Sequence, residues 1–163
     1  GAQNTALGHR SMETNTSSND NTAVGYMSLH ANTTGAGNVA VGRDALLVNS
    51  TGTENVAVGL NALKAATTAT GNQAFGFKAL ETVATGNDNT AVGAYAGDQI
   101  TSGERNVAVG RDAVGGVAGH SNTGIGFEAL LQTTGANNVA IGTLDNMPKN
   151  VADTSPISKL FPP

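Results

Sequence analysis

Side chains that titrate, attack or ligate are sparse in this chain, so the search for chemistry starts from a short roster. There are three histidines, His9, His30 and His120, no cysteine, and 8 basic against 12 acidic residues in 163. Thiolate nucleophiles, thiolate-bound metals and disulfides are excluded outright. The acidic residues are scattered rather than paired, and no serine sits in a nucleophile-elbow motif. The run GIGFEA at 124–129 lacks the third glycine of a dinucleotide fingerprint, and GGVAG at 115–119 lacks the aspartate of a calcium-binding nonapeptide. No basic stripe is present to neutralise phosphates, so nucleic acid is not an expected partner. No run of 18 apolar residues exists to span a membrane. The triplets at Asn15-Thr16-Ser17, Asn32-Thr33-Thr34 and Asn49-Ser50-Thr51 match the N-glycosylation acceptor, but Asn and Thr are so common here that such matches are expected. The expectation is no catalytic residue, no metal, no cofactor and no enzyme.

What the chain has instead is a repeat. The unit Asn-x-Ala-x-Gly begins at Asn4, Asn21, Asn38, Asn55, Asn72, Asn89 and Asn106 in steps of 17 residues, and returns at Asn122 and Asn138 in steps of 16, with Gly124 in place of one Ala. Short-period self-similarity of this kind is the signature of a solenoid. The three histidines fall in different columns of the repeat, so stacking does not converge them on a metal.

Each column has a physical reading. The residue after Asn is Thr, Val or Gln, and the residue three after Asn is always apolar, with Ala between them. Apolar and β-branched residues at period two predict a strand whose Ala points to the opposite face. The closing Gly predicts a positive φ or a close backbone approach. Seven and eight residues after Asn come pairs such as Ala45-Leu46, Ala62-Leu63, Ala79-Leu80 and Ala129-Leu130, in helix-favouring surroundings often followed by Thr-Gly. That segment predicts a single helical turn, with a second strand as the alternative. Asn stacked at about 4.8 Å can form an amide ladder. The predicted fold is therefore mainly β: a parallel β-solenoid of about nine 16–17-residue coils over residues 1–142. Residues 143–163, which hold all four prolines, form a cap, tail or linker.

Both faces of the strand avoid charge, yet a coil has one interior. With Ala inside against the Ala-Leu pair, the ridge of Val24, Val41, Val58, Phe75, Val92, Val109, Ile125 and Ile141 faces outward; the opposite assignment, with Val inside and Ala at the contact between chains, fits the pattern nearly as well. A ridge of that length exceeds what a monomer normally exposes, and burial against the same ridge of other copies resolves it. These residues are the expected interface of a homotrimer.

The units NTAVG, NVAVG and NVAIG resemble the head repeats of trimeric autotransporter adhesins and similar repeats in bacteriophage tail and other virion fibres. The resemblance covers residues 1–142. It implies a left-handed parallel β-roll, three chains packed together, and an extracellular role in attachment at a virion or bacterial surface. The repeat here is longer than in the adhesins, with the Ala-Leu segment inserted between strands.

The two positions after the strand's Gly vary most and carry most of the aromatic residues. Tyr26, Phe77, Tyr95 and Phe127 are the candidate ligand contacts, for a host-surface glycan or a protein receptor, against the alternative of half-buried spacers at coil corners. The expected function is rigid, multivalent display on a trimeric fibre. The alternative is a self-assembling filament subunit that recognises nothing. An ice-binding solenoid ranks last, because the column of Thr5, Thr22, Thr90 and Thr123 is interrupted by Val and Gln.

Overall fold

A computed structural model describes residues 1–116 and 119–143. Its regular elements are nine three-residue strands, one per Asn-x-Ala-x-Gly unit: β1 (Thr5–Leu7), β2 (Thr22–Val24), β3 (Val39–Val41), β4 (Val56–Val58), β5 (Gln73–Phe75), β6 (Thr90–Val92), β7 (Val107–Val109), β8 (Thr123–Ile125) and β9 (Val139–Ile141). They form one parallel sheet in sequence order, each strand pairing with its neighbours. The register aligns repeat position with repeat position, as in Ala23 opposite Ala40 and Ala40 opposite Ala57. This is the parallel β-solenoid that the periodicity predicts. Of the expected tail at 143–163, all but Thr143 lies outside the described residues.

Each strand is three residues long because its two ends are chemically fixed. At the start stands an Asn, buried in every coil but the first and last, and at the close a Gly with φ between 127° and 144°. At Gly42, with φ of 133°, an added Cβ would lie 2.6 Å from the carbonyl oxygen of Gly59 in the next coil. Both reasons anticipated for a glycine therefore apply at once.

The core is narrow and aliphatic. The strand alanines from Ala23 to Ala108 face in and meet the columns of Leu29, Leu46, Leu63 and Leu80 and of Ala45, Ala62, Ala79 and Ala96, all of them buried. Full burial of each Leu contributes about 1.5–3 kcal/mol. With no more than one large aliphatic side chain from this column in a coil, no coil could pay the entropy of ordering its own loops, so stability comes from stacking.

The Ala-Leu segment is neither a helical turn nor a second strand. It consists of two consecutive β-turns, closed in the third coil by Ala45 N–H donating to Gly42 C=O at 3.4 Å and Asn49 N–H donating to Leu46 C=O at 3.3 Å. Between them the buried leucines take φ near +50°, as at Leu46 (49°) and Leu63 (49°). A helix would have satisfied its carbonyls along its own axis. Here they are satisfied between coils, with Leu46 N–H donating to Ala62 C=O at 3.1 Å and Asp44 N–H donating to Tyr26 C=O at 3.0 Å. The two 16-residue coils are one residue shorter between the asparagine and the glycine carbonyl it bonds. Asn106 and Asn122 donate to carbonyls 13 residues ahead, at Gly119 and Gly135, where Asn38 reaches 14 ahead to Gly52.

Candidate binding surfaces

Inside the coil, polar chemistry is spent on structure. The buried asparagines form the expected ladder: Asn89 donates to Asn72 Oδ1 through both its backbone N–H and its Nδ2, each at 3.0 Å. Asn72 Nδ2 in turn donates to Asn55 Oδ1 at 3.2 Å and to Gly86 C=O at 2.8 Å. A second, shorter ladder runs beside it. Asn49 Nδ2 donates to Asn32 Oδ1 at 2.9 Å and to Gly52 C=O at 3.0 Å. Asn32 and Asn49 are fully buried, so two of the three acceptor-like triplets are closed to any modifying enzyme in the folded chain. In the next coils Ala66, Val83 and Ile100 take the same column, and Asn49 Oδ1 is left buried without a partner.

Outside, each strand shows two columns, a mixed Thr/Val/Gln column at its first position and a wholly apolar one at its third. The ridge residues Phe75, Val92 and Ile125 are 41%, 42% and 38% exposed, Leu7 and Ile141 at the two ends more so, and Val24, Val41, Val58 and Val109 are half-buried. The inference that Ala faces in and the Val/Ile column faces out therefore matches the coordinates.

Of the four aromatic candidates, Tyr26, Phe77 and Phe127 are exposed and Tyr95 is half-buried. Phe77 and Tyr95 meet edge to face at 5.1 Å, with Lys78 Nζ 5.8 Å from the first ring centre and 5.9 Å from the second. Tyr26 stands three coils away, about 14 Å at the pitch of parallel strands. It is stacked on His9 at 5.6 Å, with the Arg43 guanidinium 5.7 Å from its ring centre. Phe127 stands apart again. The four do not form one site.

Charges are placed beside these rings. Glu13 bonds Arg10 at 2.6 Å and lies 3.2 Å from His30 Nδ1, and the hydrogen bond from Arg10 holds its carboxyl below the usual range. Partial burial pushes the Asp98 carboxyl up, reinforced by Asp112 and Glu81. Among the described residues no cluster of three or more His, Asp or Glu could hold a metal ion.

A further surface escaped the sequence reading. The stretches 14–18, 31–35, 48–52, 65–69, 82–86 and 99–103 contain no charged and no aromatic residue, and each carries hydroxyls at its third or fourth position. They stack as two adjacent columns, Thr16, Thr33, Ser50, Thr67 and Thr101 in one, interrupted by Ala84, and Ser17, Thr34, Thr51, Thr68, Thr85 and Ser102 in the other. In the first column the hydroxyls of Thr16, Thr33, Ser50 and Thr67 are pinned to the next coil. Thr33 Oγ1 donates to Ser50 C=O at 2.9 Å, Ser50 Oγ to Thr67 C=O at 3.0 Å and Thr67 Oγ1 to Ala84 C=O at 3.1 Å. All six residues of the second column are exposed. The same alignment that reveals the Asn column would have found these columns, had it been continued past the Ala-Leu pair.

Comparison with known proteins finds no matching family model, no matching curated protein and no matching solved structure. Fold and register alone define the class: a parallel β-solenoid repeat protein.

Proposed function

We propose that this solenoid is a structural and attachment region of a trimeric surface or virion fibre. Three left-handed coils pack through their strand ridges and hold binding groups in a rigid, multivalent array. The observation that carries the reading is the outward apolar column from Leu7 to Ile141, present in every coil and broken by no polar residue. A further copy of the chain is the partner that suits it, because only a copy is certain to share both the pitch and the column. Weak contacts repeated on three chains then add as avidity. Sugars suit the exposed rings of Tyr26, Phe77 and Phe127, and the Phe77–Tyr95 pair with Lys78 is the best-formed contact among them.

Light scattering coupled to size exclusion tests the assembly. A trimer mass is expected, and Val58→Asp should dissociate or unfold it, since an unpaired charge buried at an interface costs several kcal/mol. A wild-type monomer that tolerates Val58→Asp with unaltered melting would refute the proposal. An open-ended ladder of masses would favour the filament instead.

A further inference from the structure

We propose that the paired hydroxyl columns of the first six coils form an ice-binding face, whose ligand is the ordered water lattice at the surface of an ice crystal. The column that the sequence offered for such a role, at Thr5, Thr22, Thr90 and Thr123, is broken. The face lies instead on the turn that precedes each asparagine, at Thr34, Thr51, Thr68 and Thr85 and their pinned neighbours.

Four observations carry this. The hydroxyls repeat at the spacing of parallel strands, about 4.8 Å, close to the repeat of oxygen atoms along one axis of hexagonal ice. Their positions are preset: Thr16, Thr33, Ser50 and Thr67 of the inner column are tied to backbone carbonyls, and β-branched Thr has few χ1 states. A preordered surface loses little entropy on binding. The outer column is exposed, and the Thr34, Thr51, Thr68 and Thr85 hydroxyls make no hydrogen bond among the described residues, so they are free to join a water network while their methyl groups order the water between them. Finally, the 30 residues of these stretches carry no charge, although the chain has 20 charged residues elsewhere. A charged group would hold its own strongly oriented hydration shell and break the match to a lattice. The lack of any aromatic ring there sets this face apart from the sugar-type contacts at Phe77 and Tyr95.

The test is nanolitre osmometry on the full chain, recording thermal hysteresis and crystal shape, with partition into a slowly growing ice hemisphere as a second readout. Wild type should separate melting from freezing temperature, facet the crystals and enter the ice. Thr51→Tyr/Thr68→Tyr should reduce all three to the level of buffer, with its far-UV melting curve unchanged. Should that pair disturb folding, Thr51→Lys/Thr68→Lys, which places soluble side chains at the same exposed sites, decides instead. Val58→Asp changes the ridge and not this face, so a folded Val58→Asp protein that keeps its hysteresis separates the proposal from the trimer. Absence of hysteresis in wild type, or hysteresis retained in the folded double variant, overturns it. So does binding to microcrystalline cellulose or chitin without any effect on ice.

Discussion

Replacing Asn72 with Ala tests whether the ladder holds the coils in register. The substitution removes five side-chain hydrogen bonds: three donated by Nδ2, to Asn55 Oδ1, Gly86 C=O and Thr70 C=O, and two accepted by Oδ1 from Asn89. Some of those partners have a second bond to fall back on. Asn89 Nδ2 still donates to Gly103 C=O, and Asn55 Oδ1 still accepts from the Asn72 backbone. The Asn89 N–H and the Gly86 C=O do not, and both are buried. Two orphaned buried groups at about 1–3 kcal/mol each give a loss of about 4 kcal/mol. The control is Asn138→Ala in the last described coil. Asn138 is half-exposed and donates to Asn122 Oδ1 and Ala136 C=O, while its own Oδ1 has no partner among the described residues. Water can replace much of what is lost there, so about 1 kcal/mol is expected. Urea unfolding followed by far-UV circular dichroism reads both. Equal losses for the two variants, or a loss under about 1 kcal/mol at Asn72, would show that packing and not the ladder sets the register.

Gly42→Ala should destabilise by several kcal/mol, because its Cβ would meet the Gly59 carbonyl at 2.6 Å, whereas Gly37→Ala, whose nearest neighbour would be 3.7 Å away, should cost only about 1 kcal/mol for its positive φ. A thermal melt of the pair checks this, and equal effects would contradict the close approach of coils. In the short ladder, Asn32→Ala and Asn49→Ala share one hydrogen bond, so the double variant should be about 1 kcal/mol less damaging than the sum of the singles in a double-mutant cycle. Strict additivity would mean that the bond contributes nothing. Asp98 has a raised carboxyl pKa, so the folded chain binds its proton more tightly than the unfolded chain, and its contribution turns unfavourable as pH rises above the usual carboxylate range. Asp98→Asn should raise the melting temperature at pH 7 and leave it unchanged near pH 3. A fall at pH 7 would reverse the assignment.

The strands were legible because their signal is vertical: Asn, Ala, the apolar column and Gly recur with a fixed step, and stacking requires like residues to meet. The Ala-Leu segment was misread because its signal is local. Leucine and alanine in RDALLVN favour a helix in isolation, but inter-coil bonds such as Leu46 N–H to Ala62 C=O outbid that preference and force Leu46 to a φ of 49° that no propensity scale would choose. The second ladder was invisible for another reason. Asn32 and Asn49 sit in triplets dismissed as statistical noise, and their column gives way to Ala66, Val83 and Ile100 halfway along the array. Gly97 stands in the Leu column of the coil that carries Ile100, between that side chain and Leu80 of the coil before. An added Cβ there would come within 2.7 Å of the Leu80 side chain and 3.1 Å of the Ile100 side chain. Of the four aromatic candidates only Phe77 and Tyr95 are brought together, because the pairing needed two rings in adjacent columns of consecutive coils.

Every strand of the sheet pairs only with the strand before and the strand after it in sequence. Length is therefore a heritable variable that can change without redesign. Duplicating seventeen codons in frame inserts one more coil between two surfaces of the same register, adding about 4.8 Å of reach and one more row to every column. Deleting seventeen does the reverse. A lineage carrying this gene can lengthen or shorten its rod by recombination between its own repeats, adjusting span in fixed increments while each coil keeps the neighbours it already had.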